Sequence, residues 1–228
     1  MSRVKMPILI INLKTYAQGL GEAALRLATI AENISNEWGV CIALVPQFTD
    51  IVTITKKVHI PVFAQHIDPV FPGSHTGHIL PEAVKATGAV GTLINHSERQ
   101  LSLKAIQDSV ERAKDVGLLS LVCADTPEKT FEVACFKPDL VAIEPPELIG
   151  TGIPVSKAKP EIVTRAVNLV RNRDSTIPVL CGAGISKGED VTAALRLGAQ
   201  GVLLASGVVK AKDQRKAILD LVEALKTK

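Results

Sequence analysis

Aromatic side chains are scarce in this 228-residue chain, at 3%, and the basic residues are scattered, leaving a net charge of only +3. A protein that stacks bases or tracks a phosphodiester backbone needs aromatics or a basic stripe, so nucleic acid is excluded as a partner. No apolar run approaches the ~20 residues that cross a bilayer, which excludes a membrane partner. The apolar stretch after Arg3 and Lys5 is short and ends at Asn12 and Lys14 with no small-residue cleavage site, so it reads as a first core strand and not as a leader. Cys41, Cys123, Cys135 and Cys181 form no CxxC pair, and three of them lie in or at the end of apolar runs. They read as small core hydrophobes in a reducing cytoplasm. Linkers, charge blocks and low-complexity tracts are also missing, and with 46% hydrophobic residues the chain has enough apolar matter for one large core. One domain over residues 1–228 is therefore expected.

What is present is an alternation. Short β-branched runs at Pro7 to Asn12, Val40 to Val45, Ile60 to Gln65, Val90 to Asn95, Leu118 to Ala124, Asp139 to Glu144, Ile177 to Cys181 and Gln200 to Ala205 predict eight strands. Between them lie helical segments near Glu22 to Trp38, Thr49 to Lys57, Pro81 to Thr87, Leu101 to Val116, Pro127 to Phe136, Lys159 to Arg171, Gly188 to Leu197 and Gln214 to Lys226. Several stop at a glycine: Gly39, Gly88, Gly117 and Gly198. Right-handed crossovers between parallel strands allow either a doubly wound open sheet or a closed barrel. Eight equal units without a second domain favour the closed (β/α)8 barrel, an α/β fold.

Polar residues gather at five strand ends, which a barrel would bring together. Asn12 and Lys14 follow the first strand, and Asn95, His96, Ser97 and Glu98 the fourth. Glu144 ends the sixth and is followed by Pro145, Pro146, Glu147, Leu148, Ile149, Gly150, Thr151 and Gly152. That segment places a carboxylate on rigid scaffold beside a stiff proline exit and a glycine-bearing loop, the arrangement of a base under a lid. Gly182, Ala183 and Gly184 after the seventh strand, with Ala205 and Ser206 after the eighth, suit a phosphate cradle. Small residues admit an anion to backbone N–H groups, and helices starting just beyond would turn positive dipole ends toward it. The same Gly182–Gly184 run fits a dinucleotide fingerprint poorly, because Lys187 stands where a third glycine belongs. Lys14 would need an anion if buried, and Glu98 or a substrate could supply it. His96 reads as a neutral hydrogen-bond donor, kept so by the start of a helix that Ser97 would cap. His75 and His78 lie in a Pro- and Gly-rich stretch without a helix face to hold a metal, and no metal site is expected.

With these segments side by side the chain resembles the triosephosphate isomerase family. The Asn-x-Lys of Asn12 and Lys14, the Asn-His-Ser-Glu block of Asn95 to Glu98, and Glu144 followed by the Ile-Gly-Thr-Gly of Ile149 to Gly152 match its motifs in order. The resemblance implies a cofactor-free and metal-free aldose-ketose isomerase acting on a small phosphorylated triose. Glu144 would be the base, His96 the electrophile, and Lys14 with Asn12 the oxyanion partner, with Glu98 holding Lys14. Phosphate would lie on the backbone of Ile149 or Gly150, Gly184, Ala205 and Ser206. The short length and the Cys181–Ile185 and Ala205–Ser206 loops resemble the compact archaeal branch, which implies self-association as a homotetramer, or otherwise a dimer. The long stretch from His66 to Leu80 would then reach a neighbouring subunit through Thr76.

Overall fold

The computed structural model describes residues 4–145 and 158–226. Eight parallel strands alternate with helices: β1 (Ile8–Asn12), β2 (Cys41–Val45), β3 (Phe63–Ala64), β4 (Gly91–Ile94), β5 (Leu119–Ala124), β6 (Leu140–Ile143), β7 (Val179–Cys181) and β8 (Gly201–Leu204). They pair in the order β2-β1-β8-β7-β6-β5-β4-β3. The two ends of that row meet where Leu44 bridges to Val62 and the Leu44 N–H donates to the Pro61 carbonyl at 3.0 Å. The ring closes on itself, so the expected (β/α)8 barrel is the observed fold.

A parallel strand buried on both faces reads as a continuous apolar run, and the structure divides each run between two cores. In β1, Ile8 and Ile10 point into the barrel with Ala43, Val45, Phe63, Leu121, Leu180 and Leu203. Leu9 and Ile11 point outward and pack beneath the helices. The helices answer with apolar stripes at helical spacing, as in α1 (Gly21–Trp38), which buries Ala24, Leu27, Ala28, Ala31 and Ile34. Around the ring follow α2 (Ile51–Thr55), α3 (Pro81–Ala86), α4 (Leu103–Asp115), α5 (Pro127–Ala134), α6 (Pro160–Arg173), α7 (Gly188–Arg196), α8 (Ser206–Val209) and α9 (Gln214–Lys226). Gly39, Gly88, Gly117 and Gly198 all adopt positive φ, as their place after helices predicts.

Three local expectations are corrected. The third strand is only two residues long and the seventh begins at Val179, because Pro61 and Pro178 have no N–H to give to a ladder. The four-residue α8 (Ser206–Val209) has no counterpart among the expected helices. Of the cysteines, Cys123 and Cys181 are buried, but Cys41 is half-buried and Cys135 exposed, so only two are core residues.

The inner core is tightest where Phe63 fills the barrel against Gly91: a Cβ there would lie 2.3 Å from the Phe63 ring and 2.7 Å from the Leu119 carbonyl oxygen. Gly91→Ala is therefore an overpacking change, expected to destabilise by about 1–3 kcal/mol. Urea unfolding should show a lowered midpoint at unchanged slope; an unaltered midpoint would mean that the ring can expand locally.

Candidate active site

At the end of β1 the chain turns sharply. Lys14 adopts φ 48, a left-handed conformation uncommon for a residue with a side chain. Four polar groups hold it there. The Asn12 side-chain oxygen accepts the Lys14 N–H at 2.9 Å, and the Gln47 and Gln65 amides each donate to the Lys14 carbonyl at 2.8 Å. The fourth is Glu98, whose Oε1 lies 2.8 Å from the Lys14 ammonium. The Lys14 side chain is only 11% exposed, so the expected need for an anion is met inside the protein.

His96 follows β4, where Asn95, itself at φ 61, donates to the Cys123 carbonyl at 2.8 Å and accepts the Leu101 N–H at 2.7 Å. The helix start expected at Ser97 is elsewhere. Residues 96–99 form a turn, and α4 (Leu103–Asp115) begins after Ser102, whose hydroxyl accepts the Ala105 N–H. Ser97 is not a cap, and its buried hydroxyl oxygen has no partner among the described residues. The ring is oriented by a backbone group instead: His96 Nδ1 accepts the Glu98 N–H at 3.2 Å. A nitrogen that accepts carries no proton, so this contact assigns the ring proton to Nε2. Nε2 lies 3.9 Å from Glu144 Oε1.

Glu144 leaves β6 with its N–H bonded to the Ala124 carbonyl at 2.8 Å, while the Gly182 N–H reaches back to Ile143 at 3.0 Å. Its side chain is buried, and Oε2 has no hydrogen-bond partner among the described residues. Two neighbours shape its seat. Gly182 leaves the space: a Cβ there would stand 2.4 Å from Glu144 Cγ. Cys123 places its thiol in the field of the carboxylate, and burial first and then the Glu144 charge push that thiol well above the usual thiol range. The thiol therefore stays protonated. Pro145 is described; Pro146, Glu147, Leu148, Ile149, Gly150, Thr151 and Gly152, expected as lid and partly as phosphate contacts, lie outside the described residues.

The loops after β7 and β8 pack backbone against backbone, since a Cβ on Gly207 would lie 3.0 Å from Ser186 Cα. The expected dipole contributions are unequal. At α7 (Gly188–Arg196) the Ser186 and Lys187 N–H groups already bond to Asp190 Oδ2 at 3.1 and 3.0 Å, and the Gly188 N–H bonds to Asp220 at 2.7 Å. At α8 (Ser206–Val209) the N–H groups of Ser206 and Gly207 occupy the first turn, where a helix offers no internal acceptor. Of the expected cradle, the eighth loop is the part that keeps first-turn N–H groups open, and Gly184 with Ala183 adopts positive φ of 73 and 66.

Asn12, Lys14, His96 and Glu144 line one cavity of about 180 Å³, together with Gly184, Ala205 and Ser206. Glu98 is exposed and is not among the lining residues. Thr76 stands apart at the exposed tip of the 66–80 loop. Sequence reasoning missed Tyr16, which lines the same cavity, and Cys123, Gln47 and Gln65. The two glutamines carried the same signal as the others, a polar side chain just beyond a strand. His75 and His78 meet edge to face at 5.7 Å in an exposed loop, and among the described residues no group of three His, Cys, Asp or Glu could hold a metal. A carboxylate facing an imidazole N–H across a small cavity, with a neutralised ammonium beside them, can shift a proton between carbons while polarising a carbonyl.

Residues 7–225 match the family described as triosephosphate isomerase. The chain is 54% identical over 216 residues to the triosephosphate isomerase of Methanocaldococcus jannaschii, covering 95% of this chain and 99% of the relative. It is 53% identical to that of Methanobacterium bryantii, covering 96% and 97%, and 51% identical to that of Methanosarcina barkeri, covering 96% and 99%. With the match spanning nearly every residue of the barrel, this chain belongs to the triosephosphate isomerase family.

Proposed function

We propose that the protein interconverts dihydroxyacetone phosphate and D-glyceraldehyde 3-phosphate through an enediolate, as a cytoplasmic enzyme of glycolysis and gluconeogenesis. The observation that carries this reading is the placement of His96 Nε2 and Glu144 Oε1 3.9 Å apart on the cavity that Lys14 also lines. Glu144 removes a proton from the carbon next to the carbonyl and returns it to the former carbonyl carbon. His96 Nε2–H donates to the carbonyl oxygen as charge develops there and passes the hydroxyl proton from one oxygen of the enediolate to the other, and the Lys14 ammonium and the Asn12 amide lie beside it. Only protons move, so the reaction calls for neither a metal nor an organic cofactor. The phosphate is held by backbone N–H groups of Gly184, Ala205 and Ser206, and by the lid through Ile149 or Gly150. One domain spanning residues 1–228 associates into a homotetramer, with Thr76 at the tip of the 66–80 loop reaching a neighbouring subunit.

Glu144→Ala removes the base and should lower kcat by about 10²- to 10⁴-fold or more in a coupled isomerase assay, without unfolding the barrel. Turnover within tenfold of the unaltered protein would overthrow the assignment. Gln47→Leu leaves the Lys14 carbonyl with one donor fewer and should lower kcat/KM on the order of tenfold through misplacement of the ammonium. The double change Gln47→Leu/Gln65→Leu should lose more, and equality with the unaltered enzyme would show that the Lys14 turn holds itself. Thr76→Arg at the loop tip should shift the molecule to a smaller species in sedimentation velocity and lower activity with it. A variant that keeps both its mass and its turnover would remove that loop from the interface.

A further inference from the structure

Resting on the isomerase reading above, we infer that Tyr16 walls the phosphate end of the cavity and holds Lys210 behind it, with Lys210 supplying a second positive charge that helps select a phosphorylated triose.

Lys14 lines the cavity, but it brings one positive charge, shared with Glu98 at 2.8 Å, against a phosphate bearing about two negative charges. Lys210 differs. It is exposed, directly follows α8 (Ser206–Val209), and among the described residues has no carboxylate within ion-pairing distance. Its ammonium does not float free: it stands 4.2 Å from the centroid of the Tyr16 ring. That ring lines the same cavity as Ala205, Ser206 and Gly207, which lie a few residues ahead of Lys210 in the chain. Tyr16 is also the only tyrosine of the chain.

The contact ties together two loops whose strands are neighbours, since β1 (Ile8–Asn12) pairs with β8 (Gly201–Leu204). The face of an aromatic ring attracts an ammonium without cancelling its charge. Tyr16 therefore holds the lysine beside a wall of the cavity as an uncompensated cation, where a carboxylate would have neutralised it. The body of the ring meanwhile closes the cavity beside the eighth loop. A cation at a rim with low-dielectric walls raises the local concentration of an anionic substrate, an effect that fades as salt screens it.

Lys210→Gln on the full-length enzyme tests this, with Lys104→Gln as the control. Lys104 is an exposed residue on the outer helix α4 (Leu103–Asp115), and its loss changes the net charge by the same amount. Lys210→Gln should raise KM by about three- to tenfold with most of the loss in KM and not in kcat, and should flatten the decline of kcat/KM with added KCl. Inorganic phosphate, titrated calorimetrically so that no turnover is needed, should bind more weakly by a similar factor. Tyr16→Ala should shift the same quantities in the same direction, and Tyr16→Ala/Lys210→Gln should lose less than the product of the two single losses, because the first change already frees the lysine. Equal behaviour of Lys210→Gln and Lys104→Gln would overturn the inference, as would a lowered melting temperature with KM, salt slope and phosphate affinity all unmoved. An unaltered enzyme without isomerase activity would instead sink the functional reading, while the phosphate titration still judges the wall.

Discussion

The site depends first on the constraint placed on Lys14. A residue with a side chain held in the left-handed region costs of order 1–3 kcal/mol unless its surroundings hold it there, and here three side chains from three different strand ends do so. Asn12 secures the N–H, and Gln47 and Gln65 secure the carbonyl. This hydrogen bonding fixes the peptide, and Glu98 then fixes the ammonium. Because Glu98 also gives its backbone N–H to His96 Nδ1, one residue sets both the position of the cation and the tautomer of the imidazole. The groups around the carbonyl are thus preorganised by a shared scaffold and need not be ordered at the moment of reaction.

The sixth, fifth and seventh strands form a second unit around Glu144. In its proposed role as base Glu144 must keep an oxygen available, which conflicts with the rule that buried polar atoms find partners. The structure resolves the conflict by halves. The protonated Cys123 thiol brings no charge to the carboxylate, and Gly182 yields room beside its Cγ, while Oε2 is left without a partner among the described residues. A stronger donor than a thiol at Cys123 would occupy the lone pairs that proton abstraction needs, and a side chain at position 182 would drive the carboxylate from its seat.

Much of this was legible in the chain, for identifiable reasons. The barrel is readable because eight short apolar runs, each ended by a polar or glycine residue, admit few other closures. Asn12, Lys14, His96, Glu98 and Glu144 stand out because polar or ionisable groups interrupt those runs at the carboxyl end. Gln47 and Gln65 occupy the equivalent places after β2 (Cys41–Val45) and β3 (Phe63–Ala64), yet an amide has no charge to explain and passes for loop. Cys123 is hidden for the opposite reason: inside an apolar strand a cysteine looks like packing, and only its nearness to a carboxylate gives it a role. Ser97 and Ser102 are alike as candidate caps in the sequence, and the choice between them turns on where the chain leaves its turn after His96. Strand lengths are overestimated wherever a proline sits inside the run, since periodicity registers the apolar side chain and overlooks the missing donor.

The phosphate end shows how much position within a short segment matters. Loops of small residues follow both β7 (Val179–Cys181) and β8 (Gly201–Leu204), and from composition alone they look interchangeable. Asp190 separates them: by taking the Ser186 and Lys187 N–H groups for itself it closes the first turn of α7 (Gly188–Arg196) to any incoming anion. An anion entering the cavity is therefore drawn toward the eighth loop, where the N–H groups of Ser206 and Gly207 have no competing acid in the first turn of α8 (Ser206–Val209). In the proposed reaction this asymmetry would orient the substrate: phosphate at the eighth loop, beside β1, leaves the three-carbon end toward Lys14, His96 and Glu144, whose strand ends line the rest of the cavity. On the proposed reading, selectivity for which end of the molecule reacts follows from which of two similar loops keeps its backbone donors unsatisfied.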